Sequence, residues 1–303
     1  MLKLSNVSIA YNDKAVLDNL DLTANIGEII GVAAPNGTGK STMFNVMANF
    51  VKPNSGHVIF DGKYAYRNEK EELLIHKRLC TFPEQKDLFE ELSGVDHLKL
   101  YANMWKGTAK HVPEVIERLH MGNYVKRKVR TYSLGMRQRL CFAMMVAADT
   151  PVMLMDEVMN GLDVDNVALL SECLMEMKKD KLIFVASHLL SNLDLYADRV
   201  LFLKDGKFVH EHRFTGENDV FLKIEIAPEQ YEAMKGKVKL PQGYMYIAKH
   251  LLCIPLKGMR ESEQTKWIER MLDYNEKEMT VGPLGTVEYY DKYYSKNAYC
   301  YGK

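Results

Sequence analysis

The stretch that most constrains this chain is Ala34 to Thr42, APNGTGKST, which follows the apolar run Glu28-Ile29-Ile30-Gly31-Val32. A short apolar strand, a glycine-bearing loop and a helix start make a phosphate cradle. Gly37 and Gly39, flanking Thr38, let the backbone curl so that successive N–H groups point inward, and the helix opening near Gly39 adds the positive end of its dipole. Lys40 supplies a mobile full charge for β- and γ-phosphates, and the Ser41 hydroxyl is placed to ligate Mg²⁺. The motif departs from G-x-x-x-x-G-K-[ST] at its first position, where Ala34 stands. Alanine is tolerated there if φ is negative or the residue lies away from the phosphates. A strand-to-helix connection with no ligand is the alternative, and the residues that follow weigh against it.

Composition bounds what surrounds the loop. With 303 residues, 47% of them hydrophobic, the chain can bury one large core or two ordinary ones. Forty basic residues balance forty acidic ones, so no bulk charge argues for nucleic acid. No apolar run approaches the roughly 18 to 20 residues that span a bilayer, and Met1 opens into LKLSNVSIAY without a leader, so a soluble cytoplasmic chain is expected. Cys80, Cys141, Cys173, Cys253 and Cys300 are scattered and never spaced C-x-x-C, which reads as reduced thiols without disulfide or zinc.

Read in order, residues 2 to 9 and 16 to 24 alternate apolar with polar, as two half-buried strands joined at Tyr11-Asn12-Asp13-Lys14. Tyr11, at that turn and just upstream of the phosphate loop, offers a flat ring on which adenine can stack, a contact worth about 1 to 3 kcal/mol. A helix follows over Thr42 to Phe50, a strand over His57 to Phe60 with Asp61-Gly62 closing a small hairpin, and a charged helix over 68 to 77. The strand after Leu79 stops at Pro83 and hands Gln85 to a loop. Ser93 caps one amphipathic helix, and another runs from Pro113 to Leu119. Ser133 then caps a long apolar helix, and with Gly135 makes an anion-seeking helix N-terminus.

The buried strand Val152 to Met155 ends in two acids, Asp156 and Glu157. Adjacent carboxylates at a buried strand end are costly unless they meet cations or protons. Behind a phosphate loop, Asp156 is placed to hold Mg²⁺ through water, and Glu157, pointing the other way, to accept a proton from attacking water. Asn160 to Asp163 turns into a helix over Val167 to Met177, and the strand Lys181 to Ala186 ends at Ser187-His188, where ligands bind in open α/β sheets. A hairpin over Val200 to His210 closes the pattern.

The phosphate loop, Gln85, Tyr132 to Arg139, Asp156-Glu157, Asn160 to Asp163 and His188 stand in the order found in ATP-binding subunits of ATP-binding cassette transporters, and residues 1 to 212 resemble that family. The resemblance implies an α/β P-loop NTPase cassette with an antiparallel β subdomain and a helical subdomain. It implies ATP and Mg²⁺ as ligands, with Tyr11 stacking adenine beside Val16, and Asn36, Gly37, Thr38, Gly39, Lys40, Ser41 and Thr42 holding phosphates. Gln85 is implied to sense Mg²⁺ and couple to a membrane partner. Ser133 and Gly135 resemble the family signature, Asp156 the metal-holding acid, Glu157 the general base, Asp163 the dimer-contact aspartate and His188 the switch histidine. Ala34, Leu134 with Met136, and Val158-Met159 depart from the commonest pattern, which bears on turnover more than binding. YSLGMRQR is similar to the branch that serves separate export permeases for antibiotics or peptides.

The expectation is therefore an ATPase that pairs two-fold with itself or a paralogous cassette, drives a separate integral membrane permease and sits at the inner face of the cell membrane through it. The alternatives are a soluble ATP-gated clamp acting on nucleic acid or ribosomes, or a cassette that binds ATP and hardly turns it over. Residues 213 to 303 read as a small α+β accessory domain whose β-α-β-β-α-β order matches a ferredoxin-like arrangement, followed by a tyrosine-rich helix.

Overall fold

Strand β1 (Leu2–Tyr11) buries Leu2, Leu4, Val7 and Ile9 and leaves their neighbours more open, the period-two pattern of a sheet with one wet face, and β2 (Lys14–Ala24) does the same with Leu17, Leu20 and Leu22. In β3 (Glu28–Ala33) every residue from Ile29 on is buried, as in a parallel strand covered on both faces. The chain goes on through α1 (Lys40–Met47), β4 (Ser55–Phe60), α2 (Glu69–His76), β5 (Leu79–Thr81), α3 (Gly94–Lys106), α4 (Val112–Arg118), α5 (Leu134–Ala148), β6 (Val152–Asp156), α6 (Val164–Met177), β7 (Leu182–Ala186), α7 (Leu190–Tyr196), β8 (Arg199–Lys204) and β9 (Lys207–Arg213). This computed structural model describes residues 1–12, 14–214, 219–275 and 278–295. The chain divides into two compact units, Met1–Arg213 and Phe214–Lys303.

Two sheets frame the first unit. A six-stranded sheet runs β5-β6-β7-β3-β8-β9, parallel except for the antiparallel last strand, and a three-stranded antiparallel sheet runs β2-β1-β4. The strand over 57 to 60 thus closes no free-standing hairpin. It pairs along β1, Leu2 opposite Phe60 and Leu4 opposite Val58, and the Asp61-Gly62 turn closes only a single bridge from Phe60 to Tyr64. Asp13 of the expected β1–β2 turn and Cys300 lie outside the described residues; Cys80, Cys141, Cys173 and Cys253 are buried free thiols.

Local signals set the helix limits. Ser93 and Asp96 form a reciprocal capping box at the start of α3, worth about 1 kcal/mol, and Gly107 ends it in the left-handed region at φ 68°. Ser133 accepts the Met136 N–H to start α5, whose residues from Leu140 to Ala148 are all buried, so this helix is a core element on which α3 and α4 pack. Helix α6 begins at Val164, three residues earlier than its apolar pattern suggests, because the Asp163 side chain accepts the Asn166 N–H. Helix α1 lies against the main sheet, Phe44 meeting Phe184 edge-on at 6.3 Å.

The second unit holds β10 (Phe221–Glu225), α8 (Pro228–Lys235), β11 (Met245–Ile247), β12 (Leu251–Pro255), α9 (Glu261–Leu272), β13 (Met279–Gly282) and α10 (Thr286–Tyr294). Its strands form an antiparallel sheet of order β11-β12-β10-β13, the topology of the split βαβ, ferredoxin-like arrangement. Strand alternation splits its core: Leu222, Ile224, Leu252 and Ile254 meet Tyr231, Met234 and Met271 of α8 and α9, while Phe221, Ile247 and Cys253 meet Leu284 with Tyr289 of α10 against them.

Candidate active site

Three parallel strands end side by side, with Val32 of β3, Ala186 of β7 and Asp156 of β6 in register. The chain leaving each of them supplies one part of the site, at the carboxyl edge where open α/β sheets gather ligands.

After β3 the phosphate loop wraps around its own lysine. Lys40 is buried, and its Nζ donates to the carbonyls of Ala34 at 2.6 Å and Pro35 at 3.2 Å. Burial pulls its pKa below the ordinary 10.5, while the charges of Glu157 and Asp156 pull the other way. Ala34 is outside the left-handed region and uses only its carbonyl, so no glycine is required there. Gly39 is different. At φ 107° it caps α1, and a Cβ would meet the Val16 side chain and carbonyl at 3.0 Å, so β2 presses directly on the turn.

After β6 come the two acids. Asp156 Oδ2 accepts from Ser41 Oγ at 2.5 Å, joining the start of α1 to the end of β6. Glu157 sits at φ 54°, a left-handed conformation that costs a residue with a Cβ about 1 to 2 kcal/mol. That turn is held from several sides: the Glu157 N–H donates to Ala186 O at 2.9 Å, and its carbonyl accepts from Asn160 N at 3.1 Å. The Glu157 carboxylate meets His188 Nδ1, beyond β7, at 2.5 Å.

Tyr11, Val16, Asn36, Gly37, Gly39, Lys40, Ser41, Thr42, Asp156 and Glu157 line one cavity of about 330 Å³. An adjoining cleft of about 690 Å³ shares Ser41, Asp156 and Glu157 and adds Gln85, whose amide donates to Gln138. Thr38 turns its hydroxyl back to Pro35 O at 2.7 Å and lines neither space. Ser133, Gly135 and Asp163 also line neither. The Ser133 and Asp163 side chains cap their own helices, and Leu134 lies against Gly161 in the turn that follows the acids. Gln138, buried and hydrogen-bonded to the carbonyls of both Glu157 and Val158, is the site-adjacent residue that sequence reading passed over. Its one signal was a polar residue entering an apolar helix.

The donor set suits a hard cation that keeps its waters. Among the described residues no group of three or more His, Cys, Asp or Glu is placed to hold a metal. One hydroxyl and one carboxylate already in contact, with a glutamine amide in the same cleft, match an ion that completes its shell with water and phosphate oxygens, as Mg²⁺ does. No helix among the described residues is long and apolar enough to cross a membrane.

Residues 17–160 match the family model described as ABC transporter. The ABC transporter ATP-binding protein YhcH of Bacillus subtilis is 34% identical over 221 residues, covering 72% of this chain and 72% of its own. The lantibiotic transport ATP-binding protein SrtF of Streptococcus pyogenes is 28% identical, over 73% of this chain and 94% of its own. The bacitracin transport ATP-binding protein BcrA of Bacillus licheniformis is 27% identical, over 71% and 70%. Among solved structures, a dimeric ATP-binding cassette in a post-hydrolysis state with ADP and Pi superimposes with TM-score 0.65 at 24% identity, over 71% of this chain and 100% of that one, a likeness of fold. With the phosphate loop, the paired acids and the sheet that gathers them in place, the chain belongs to the ATP-binding proteins of the ABC transporter family and is an ATPase.

Proposed function

We propose that this cassette binds ATP with Mg²⁺ between two copies arranged two-fold, or between itself and a paralogous cassette, and that hydrolysis drives a separate membrane permease that exports a peptide- or antibiotic-like substrate. The observation that carries the reading is the convergence of Lys40, the Ser41–Asp156 pair and Glu157 on one cavity at the ends of β3 and β6. Tyr11 stacks on adenine with Val16 beneath it, and Asn36 to Thr42 wrap the phosphates. Lys40 exchanges the carbonyls of Ala34 and Pro35 for β- and γ-phosphate oxygens. Ser41, Asp156 and Gln85 would hold Mg²⁺, which supplies charge to offset the phosphates. Glu157 takes the proton of the attacking water as its oxygen bonds to the γ-phosphorus and the bond to the β-phosphate oxygen breaks, giving ADP and phosphate. His188, donating from Nδ1, orients that carboxylate.

Ser133 and Gly135 start α5 away from the chain's own phosphate loop, so their helix N-terminus is spare for the γ-phosphate held by the other copy, with Asp163 beside that contact. The substrate class is supported by the names of SrtF and BcrA, transport ATP-binding proteins for a lantibiotic and bacitracin; export through a separate permease is proposed beyond what those names say. With such a partner the chain would work at the inner membrane face.

Glu157→Gln keeps size and most hydrogen bonds and removes the base. Turnover is expected to fall by about 10² to 10⁴ while ATP binding persists. Size-exclusion chromatography with ATP and Mg²⁺ should then show an accumulated dimer. A variant that stays monomeric at saturating ATP removes the sandwich, and one that hydrolyses at the parental rate removes the base.

A further inference from the structure

The Gln138 carboxamide is committed at both ends. Its Nε2 donates to the carbonyl of Glu157 at 2.8 Å and to that of Val158 at 2.9 Å, which uses both amide hydrogens. Main-chain carbonyls only accept, so this end of the side chain must be the NH₂, and the oxygen must face the other way. There it accepts from the Nε2 of Gln85. The polarity therefore runs in one direction, from two carbonyls through Gln138 to Gln85. It settles the orientation of a second amide that would otherwise be free to flip. With its NH₂ turned to Gln138, Gln85 keeps its oxygen for the cleft that it shares with Ser41, Asp156 and Glu157.

We propose that Gln138 is a positioning residue that fixes the Gln85 amide so that it presents oxygen, and not NH₂, to a divalent cation at Ser41 and Asp156, while holding the carbonyls of the Glu157 turn. The inference rests on the reading of this cleft as the Mg²⁺–ATP site. A flipped Gln85 would aim two hydrogens at the cation, and the buried Gln138 chooses between the two states. One side chain thereby ties the metal's surroundings to the backbone of the residue next to the metal-holding acid. The carbonyls it holds belong to Glu157, in its left-handed turn, and Val158.

Two variants test this. Gln138→Met fills the same space without polar atoms, and Gln138→Leu does so with a branched apolar side chain; neither leaves an acceptor for the Gln85 amide. The probe is Mn²⁺, followed by its electron paramagnetic resonance signal in the presence of ATP, alongside titration of a fluorescent ATP analogue in EDTA and thermal melting of the full chain. Metal affinity in the ATP complex is expected to weaken by about 10- to 100-fold, the usual loss when the partner of a metal ligand is removed. Metal-free nucleotide affinity should stay within about threefold. In a Gln85→Met background, either substitution at Gln138 should have no further effect on Mn²⁺. Mn²⁺ affinity unchanged within twofold in either folded variant overturns the proposal, and so does a full additional loss in the Gln85→Met background. Failure of the parental protein to take up Mn²⁺ with ATP would instead overturn the reading of the cleft.

Discussion

Lys40 shows how far one residue's chemistry could be read before its surroundings were known. Its motif announced a phosphate-binding cation, but not that the ammonium is buried on two carbonyls of its own loop with its pKa pulled down by that burial. The sign of the effect on binding follows. A phosphate ligand restores the charged form, so between the depressed value of the free protein and the higher value of the complex, binding takes up a proton. ATP affinity should therefore begin to fall at a pH below 10.5, with a slope of at most about tenfold per pH unit. Fluorescence titration from neutral to alkaline pH measures it. Lys40→Arg, which stays charged, should remove the slope, and a parental curve as flat as that of the arginine variant would refute the assignment. Gln138 was illegible for the opposite reason: its partners, Gln85 and the Glu157 turn, are far away in sequence, and a polar residue in an apolar helix announces a buried contact without saying to whom.

Elements were legible where the pattern was local. The buried strands β3, β6 and β7 and the long core helix α5 stood out as continuous apolar runs, the strand limits moving by a single residue, whereas α6 starts three residues early because of its Asp163 cap. Helix α7 went unread because LSNLDLY is too short to show a period, and β4 was given a local partner because nothing in its own sequence names β1. That pairing makes a demand of its own. Gly56 sits at φ 81°, and a Cβ there would lie 2.2 Å from the carbonyl oxygen of Asn6, backbone against backbone. Gly56→Ala is expected to cost about 2 to 4 kcal/mol, and a thermal melt within a degree of the parent would show that β4 can shift along β1.

At the scale of the whole molecule, the two units have separate cores, and the site is built wholly from the first. A chain ended after Arg213 should melt cooperatively and bind ATP, with dimerisation or transport altered; loss of nucleotide binding in a still-folded truncation would give the second unit a direct part in the site. The three strand ends that meet there carry a further implication. Lys40 follows β3, Asp156 closes β6 and His188 follows β7, yet β7 lies between β6 and β3 in the sheet. A growing chain therefore owns its phosphate loop long before it owns the strand that brings the acids beside it. Such pairings, distant in sequence, form slowly, and a ligand that binds only the finished arrangement stabilises nothing that comes earlier. Nucleotide thus stabilises the completed sheet and nothing half-made.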